Sequence, residues 1–377
     1  MLKAYKYCLL PTAEQKLQLA KFFGSCRFVY NLGLECKMQA WASARQHLSW
    51  IDLANQVKEL KDTEAQWLQE CPSQTLQMAL RNLDDAYSAF FRGGGFPKFK
   101  SKHKKQSIQY PQGVKIDLDN GTIFLPKLKN VTCVFHRKFK GDIKTVTVSR
   151  TPTGKYSVSI LVENQKELPK KKSIKESTSV GIDMGVKIFA TLSDGTVFEN
   201  PKYLRQNLRR LEVEQRKLSR RFKKGVEEQS KSYQKQKLIV AKLHEHIKNQ
   251  REDYLHKAST QIIRSFDTIC LEDLNIKEMM QNERLALAIG EVGWHKFKTM
   301  LEYKADWYGK NIQYIGRFEP SSKLCSHCGT IFKELRLKDR FWTCLSCGTH
   351  HERDANAAQN IKSIGLRIKP ATVNVRH

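Results

Sequence analysis

Ser179-Val180-Gly181-Ile182-Asp183-Met184-Gly185 is an apolar, β-like run that carries one carboxylate and closes on a glycine. A charged side chain inside such a strand is costly to place unless a metal or a partner receives it, so the run reads as a central strand delivering an acid to a site. Two further acidic motifs stand downstream. Leu271-Glu272-Asp273-Leu274-Asn275 ends the apolar run that begins at Phe266, and Arg353-Asp354-Ala355-Asn356-Ala357-Ala358 opens a helical pattern through Asn360, Ile361 and Ile364. A capping role at the helix start competes for Asp354. Taken in this order, Asp183, Glu272 and Asp354 are expected to converge on one cluster of oxygens. Hard Mg²⁺ ions favour such ligands, and two of them about 3.5–4 Å apart clamp the attacking and leaving oxygens of a phosphodiester during in-line displacement.

Composition agrees with a polyanionic partner. Sixty-six Lys and Arg against 38 Asp and Glu give a formal net charge of +28 over 377 residues. That balance favours nucleic acid and makes affinity salt-dependent through counterion release. A membrane surface is the rival polyanion, but no apolar run has the length of a spanning helix, and Met1-Leu2-Lys3-Ala4-Tyr5-Lys6 lacks a signal-peptide core. A soluble, cytoplasmic protein with no membrane partner is expected.

Six of the ten cysteines (Cys8, Cys26, Cys36, Cys71, Cys133, Cys270) lie in apolar or helical contexts and read as small buried hydrophobes. The other four form a C-x2-C, fifteen-residue, C-x2-C arrangement at Cys325, Cys328, Cys344 and Cys347, the spacing of a tetrahedral Cys₄ zinc site. Disulfides are the weaker alternative in a reducing cytosol. Four thiolates close the coordination shell, so one structural Zn²⁺ is expected. His327, His350 and His351 lie nearby and are left out as ligands.

Leu2 to Leu10 alternates like a strand, and Pro11-Thr12 with Glu14-Gln15 announces a helix start. Helical periodicity then runs to about Phe91, ending at Gly93-Gly94-Gly95. The segment from Phe96 to Lys105 mixes aromatics with lysines, which suits either a solvated linker or stacking on bases with phosphate contact. Ser107 to Val162 reads as short strands with turns at Asp119-Asn120-Gly121 and Thr153-Gly154. With the first strand they are expected to form a small β-barrel interrupted by the helical insert. Beyond the basic stretch Lys166–Lys175, Ile182 to Val197 reads as two strands around Ser193-Asp194-Gly195-Thr196. Leu204, Leu208, Leu211, Leu218 and then Val240, Leu243, Ile247 read as a long helical hairpin. Its exposed face, with Arg205, Arg209, Arg210, Arg216, Arg220 and Arg221, favours phosphate contact.

A mixed sheet receiving acids from its first and fourth strands and from a late helix is the layout of RNase H-like nucleases. At this point the chain resembles the TnpB (OrfB) proteins of bacterial insertion elements, relatives of the type V CRISPR effectors. Besides the acidic motifs, the likeness rests on Pro11-Thr12, Arg27-Phe28-Val29-Tyr30-Asn31, Phe96-Pro97-Lys98-Phe99-Lys100, Trp294, Leu301-Glu302-Tyr303-Lys304-Ala305 and Pro320-Ser321-Ser322-Lys323. The resemblance implies a multidomain α+β protein. In it, residues 1–10 plus 106–165 form an OB-like wedge barrel, 11–105 a helical recognition domain and 166–178 a basic linker. Residues 179–323 plus 351–368 form a RuvC-type nuclease domain, 324–350 a zinc ribbon and 369–377 a tail. It further implies cutting of double-stranded target DNA beside a short flanking motif, directed by a noncoding guide RNA from the element's end, by a monomeric ribonucleoprotein that meets the nucleoid when on DNA. Asp183, Glu272 and Asp354 would hold two Mg²⁺. The segment Gln281–Glu291 resembles a mobile lid, with Gly290 and Glu291 where a serine and an aspartate are expected.

Three alternatives share parts of this description. A DNA transposase would show strand transfer and usually ends its triad in glutamate. A guided repressor would lack catalytic acids, whereas all three are present here. A Holliday-junction resolvase needs neither the N-terminal half nor a ribbon.

Overall fold

The structure, a computed structural model, describes residues 1–226, 228–317, 319–336 and 338–368. The tail expected over 369–377, and the side chains of residues 283–285 in the lid-like segment, lie outside the described residues. The chain divides into two compact units, Met1–Lys166 and Glu167–His377.

In the first unit, β1 (Leu2–Leu10) leads into α1 (Ala13–Ala44). The corner is made by a capping box: the Thr12 hydroxyl accepts from the Gln15 amide at 3.2 Å, and the Gln15 side chain accepts from the Thr12 amide at 3.1 Å. α2 (Trp50–Asp62) and α3 (Ser73–Phe91) follow, then β2 (Gln106–Tyr110), β3 (Lys115–Asp117), β4 (Thr122–Leu125), β5 (Lys129–Val134), β6 (Asp142–Arg150) and β7 (Tyr156–Glu163). The seven strands form one antiparallel sheet in the order β2-β6-β7-β1-β5-β4-β3. No ladder joins the edge strands β2 and β3 among the described residues, so the small barrel expected from the sequence is met as an open sheet by hydrogen bonding. Helices and strands share one core: Phe22, Leu34, Leu80 and Leu83 from the helices pack in the same cluster as Ile108, Val146 and Val158 from the sheet.

The second unit is built on β8 (Ser179–Met184), β9 (Ile188–Leu192), β10 (Val197–Glu199), α4 (Tyr203–Arg221), α5 (Lys231–Ser265) and β11 (Thr268–Glu272). After these come α6 (Ile276–Met279), α7 (Glu283–Val292), α8 (Trp294–Tyr308), β12 (Asn311–Ile315), β13 (Phe341–Thr343), β14 (His350–Glu352) and α9 (Arg353–Arg367). The sheet order is β10-β9-β8-β11-β12. β8, β9 and β10 form an antiparallel meander, while β11 runs parallel to both β8 and β12. The sequence reading of Ile182–Val197 as two strands is corrected to three. Gly185 makes an additional turn, its amide donating to the Phe189 carbonyl at 3.2 Å, and the Ile188 carbonyl comes too near to leave room for a side chain there.

Two close passes seat α9 on this sheet. A Cβ at Gly181 would fall 2.5 Å from the Lys362 amide nitrogen and closer still to the Ala358 carbonyl oxygen, and one at Gly365 would meet the Cys270 sulfur at 2.5 Å. The other face is covered by α5 and α8, whose Ala258, Ile262, Phe297 and Leu301 are buried beneath the strands. α4 and α5 form the expected hairpin, and the arginines named above are exposed along α4. The basic stretch before β8 is held in place: the Lys172 and Lys310 ammonium groups share Asp267 at 3.0 and 2.5 Å, and the Asn311 amide donates to the Lys172 carbonyl at 2.8 Å. The unexpected Glu291 has a structural use. Its carboxylate is buried and accepts from the Arg205 backbone amide at 3.0 Å in the first turn of α4, while Arg251 donates to the Gly290 carbonyl at 2.7 Å. No helix among the described residues is long and apolar enough to cross a membrane.

Candidate active centre and metal cluster

β8 and β11 are parallel with Ile182 opposite Leu271. The next residues, Asp183 and Glu272, therefore leave neighbouring strands at the same level. The third acid comes from the first turn of α9, where Asp354 is buried and the helix N-terminus favours a carboxylate. The three are close enough to act on one another. The Asp183 carboxyl is pushed up to about 8, by burial first and then by the charges of Glu272 and Asp354, with Arg353 and Arg340 offsetting part of the effect.

Their partners differ. Among the described residues Asp183 has no hydrogen-bond or ion-pair partner. Glu272 accepts from the Ser321 hydroxyl at 2.6 Å. Asp354 accepts from Arg340 at 2.7 Å and from Arg353 at 2.8 and 3.0 Å. Neighbouring Asp273 is already neutralised by Lys298 and Arg317 at 3.4 and 3.1 Å, which separates it from Glu272 although the two are adjacent in sequence. Both Asp354 oxygens are engaged by arginines, and among the described residues the three acids do not form a ready-made ligand cluster as the cysteines do; what they share is the repulsion that raises Asp183. Asp183 and Asp354, though not Glu272, line a cavity of about 540 Å³ together with Lys187, Lys202, Lys323 and Arg336. Its lining thus mixes these two acids with lysines and arginines.

Cys325, Cys328, Cys344 and Cys347 place their sulfurs within 4.8 Å of one another. The pairs Cys325–Cys347 and Cys328–Cys344 are 3.7 and 3.6 Å apart. Tetrahedral thiolates about 2.3 Å from zinc stand about 3.8 Å from each other, so the cluster fits the ion. Each half is the same knuckle. The Cys325 and Cys344 amides donate to the Thr330 and Thr349 carbonyls, and the Gly329 and Gly348 amides return to Cys325 and Cys344, all at 2.9 Å. Both glycines have positive φ, 78° and 72°, a conformation in which a side chain would be strained.

Several residues here escaped the sequence reading. Arg340 reaches Asp354 across the turn before β13, and Ser321 reaches Glu272 from the segment that leads into the cysteine cluster. Asn356 and Asn360, one helical turn apart on α9 and both buried, donate to the Leu324 carbonyl at 2.7 and 2.6 Å and hold that segment down. His351 was set aside as a ligand, yet its Nε2 is 3.0 Å from the Cys325 sulfur and its ring lies 4.7 Å from that of Trp342. The i, i+4 spacing of the two asparagines in an apolar helix face was a usable signal. The arginine and histidine contacts depend on how the cysteine loops fold back and had none.

Comparison with known proteins follows the same lines. The OrfB_IS605 family model, described as "Probable transposase", matches residues 159–283. A Cas12f1-like TNB domain model matches 294–361, and a helix-turn-helix model of the OrfB_IS605 type matches 1–46. A Streptomyces pristinaespiralis protein named as a candidate RNA-guided DNA endonuclease is 38% identical over 99% of this chain and 92% of its own length. InsQ of Escherichia coli (strain K12), named likewise, is 36% identical over 97% and 93%. Among viral relatives, the TnpB-like protein L770 of Acanthamoeba polyphaga mimivirus is 25% identical over 96% and 73%. Among solved structures, Cas12f1 in its sgRNA–target DNA complex aligns with a TM-score of 0.55 at 16% identity, over 93% of this chain and 83% of that one. A mini-RNA-guided endonuclease, CRISPR-Cas_phi3, aligns at 0.51 and 10%, over 98% and 93%. These structures share a multidomain α+β fold with the protein. With relatives this similar over nearly the full length of both sequences, the chain belongs to the TnpB (OrfB) family of insertion-element proteins.

Proposed function

We propose that the protein is an RNA-guided, flanking-motif-dependent endonuclease that cuts double-stranded DNA by two-metal-ion hydrolysis. The observation that carries this reading is the Asp183 carboxyl on β8, unpaired and raised by burial and by the charges of Glu272 on β11 and Asp354 on α9, in a cavity also lined by lysines and arginines. The strand order, an antiparallel meander followed by two parallel strands, supports an RNase H-like (RuvC) assignment for 179–323 plus 351–368. The cysteine cluster supports a zinc ribbon over 324–350. The first unit is read as an OB-like wedge carrying a helical recognition domain. Relatives named for RNA-guided DNA cleavage supply the substrate class and the guide. Bound Mg²⁺ would activate water and stabilise the leaving oxygen. Asp183, Glu272 and Asp354 would hold it, Ser321 orients Glu272, and the lysines and arginines of the cavity draw in the strand to be cut. The complete set of acids favours cutting over guided repression.

The test is co-expression with the DNA flanking the gene, sequencing of the RNA that co-purifies, and digestion of a matching plasmid library with randomised flanks. Guide-dependent cuts beside one enriched flank are expected. Bound RNA with tight DNA binding and no cutting would overturn the nuclease in favour of a repressor, and transfer of an element end would favour a transposase.

The cysteine cluster gives a separate prediction. Cys344→Ser removes one of four thiolates, so zinc measured by plasma mass spectrometry after gel filtration should fall from about one ion per chain to near none. Full retention of zinc would remove Cys344 from the ligand set.

A further inference from the structure

The first unit contains a cleft of about 390 Å³ that the proposed nuclease chemistry does not use, within the roughly 300–1,000 Å³ typical of ligand sites. Its walls are α1, α3, β2 and the aromatic–lysine segment that follows α3. Arg27, Lys98, Lys100, Lys104 and Lys105 line it, and none of its lining residues is acidic. The wall is built rather than loose. Asn31 on α1 clamps the Lys100 backbone from both sides, accepting from its amide at 2.8 Å and donating to its carbonyl at 3.0 Å. Gln106 accepts from Arg27 at 2.8 Å and donates to the Ser101 and Lys104 carbonyls at 3.0 and 2.8 Å. The segment from Phe96 to Lys105, which the sequence left open between linker and contact surface, is therefore a fixed wall.

Two features within this cationic frame address a base rather than a phosphate alone. Phe99 is 52% exposed at the lip, a ring left free to stack. In the same lining, Asn82 donates to the Gln109 side-chain oxygen at 2.9 Å. That bond leaves the Asn82 oxygen as an acceptor and the Gln109 nitrogen as a donor on two side chains that line the cleft. Adjacent donor and acceptor amides match the edge of a nucleobase, and an aromatic ring with flanking cations is how unpaired strands are gripped.

We propose that this cleft binds one unpaired nucleotide of a polynucleotide strand. The phosphates meet Lys98 and Lys104, while the Lys100 ammonium sits over the Tyr30 ring at 3.7 Å and braces the wall; the base stacks on Phe99, and its edge is read by Asn82 and Gln109. The proposal rests on the nucleic-acid-binding reading above and adds a specific site to it. RNA and DNA strands share this chemistry, and the experiment separates them.

Purified full-length protein is titrated with fluorescein-labelled RNA and DNA strands of one sequence, carrying 4-thiouridine or 4-thiothymidine, and photo-crosslinked peptides are mapped. Crosslinks in residues 96–109 are expected, and Phe99→Ala and Gln109→Leu should each weaken binding about tenfold at fixed salt. Lys98→Glu with Lys104→Glu should lower the salt slope by about two. These positions are exposed or half-buried, and an unchanged melting curve guards against misfolding. Crosslinks from the RNA arm assign the site to the guide, and those from the DNA arm to the target. Crosslinks elsewhere and unchanged affinities, with guide-dependent cutting intact, would overturn the pocket alone. Absence of binding to either strand would overturn the pocket and the nuclease reading together.

Discussion

Asp183→Asn should abolish Mg²⁺-dependent DNA cutting, by at least about a thousandfold, while guide binding stays within about twofold. The asparagine keeps the shape and loses the charge, and several kcal/mol of metal-borne transition-state stabilisation corresponds to that loss in rate. The fold should not suffer, and pH provides the check. The Asp183 carboxyl is raised from its ordinary value of 3.8 to about 8, so the folded protein holds this proton when the unfolded chain has released it. Its contribution is fully present below about pH 4 and is lost as pH rises towards 8. Asparagine has no such loss. Without divalent cation, the melting temperature of Asp183→Asn relative to the parent should therefore rise between pH 4 and 8 and level off beyond. Added Mg²⁺ should stabilise the parent at pH 8 and leave the variant unmoved. A variant that cuts at the parental rate would remove Asp183 from the site, and one that melts far below the parent at pH 8 would show that the residue serves the fold.

Gly181→Ala should be the most damaging single methyl group in the second unit. The added Cβ meets the Ala358 carbonyl and the Lys362 amide of α9, backbone atoms that cannot rotate away. Overpacking of this kind costs about 3 kcal/mol or more, or roughly a 10 °C fall in melting temperature for a unit of this size. Cutting should fall as well, because α9 carries Asp354. Gly365→Ala makes a useful contrast: its Cβ meets the Cys270 sulfur at 2.5 Å and the Cys270 Cβ at 2.7 Å, so Cys270→Ala, which removes only the sulfur, should rescue it in part, whereas no side-chain truncation rescues Gly181→Ala. Denaturant unfolding of the four variants checks both statements. A Gly181→Ala protein as stable as the parent would mean that the helix can shift away from the strand at little cost.

What could be read from the sequence was what local pattern encodes. Asp183 stood out because a charge interrupts an apolar strand, and the four cysteines because their spacing is that of the metal site. The capping box at Thr12 and Gln15 and the α4–α5 hairpin follow from short-range rules of the same kind. The features that escaped depend on pairing over long distances. An open sheet differs from a barrel only in whether β2 meets β3, which no stretch of text records. The third strand of the meander hangs on a turn at Gly185 that lacks the usual polar signals. Arg340, Ser321 and His351 gain their partners only once the cysteine loops have folded back, and Glu291 was unexpected until its carboxylate was found at the start of α4.

The cysteine cluster and the acids are joined through short, direct contacts: Ser321 to Glu272, Arg340 to Asp354, and Asn356 and Asn360 to the loop at Leu324. On the proposed reading this makes zinc and magnesium thermodynamically linked ligands. Whatever zinc does to magnesium affinity by ordering these contacts, magnesium must do to zinc affinity by the same factor. The contacts that order one ion's ligands are the same contacts that order the other's, so the two sites would lose affinity together when either is emptied.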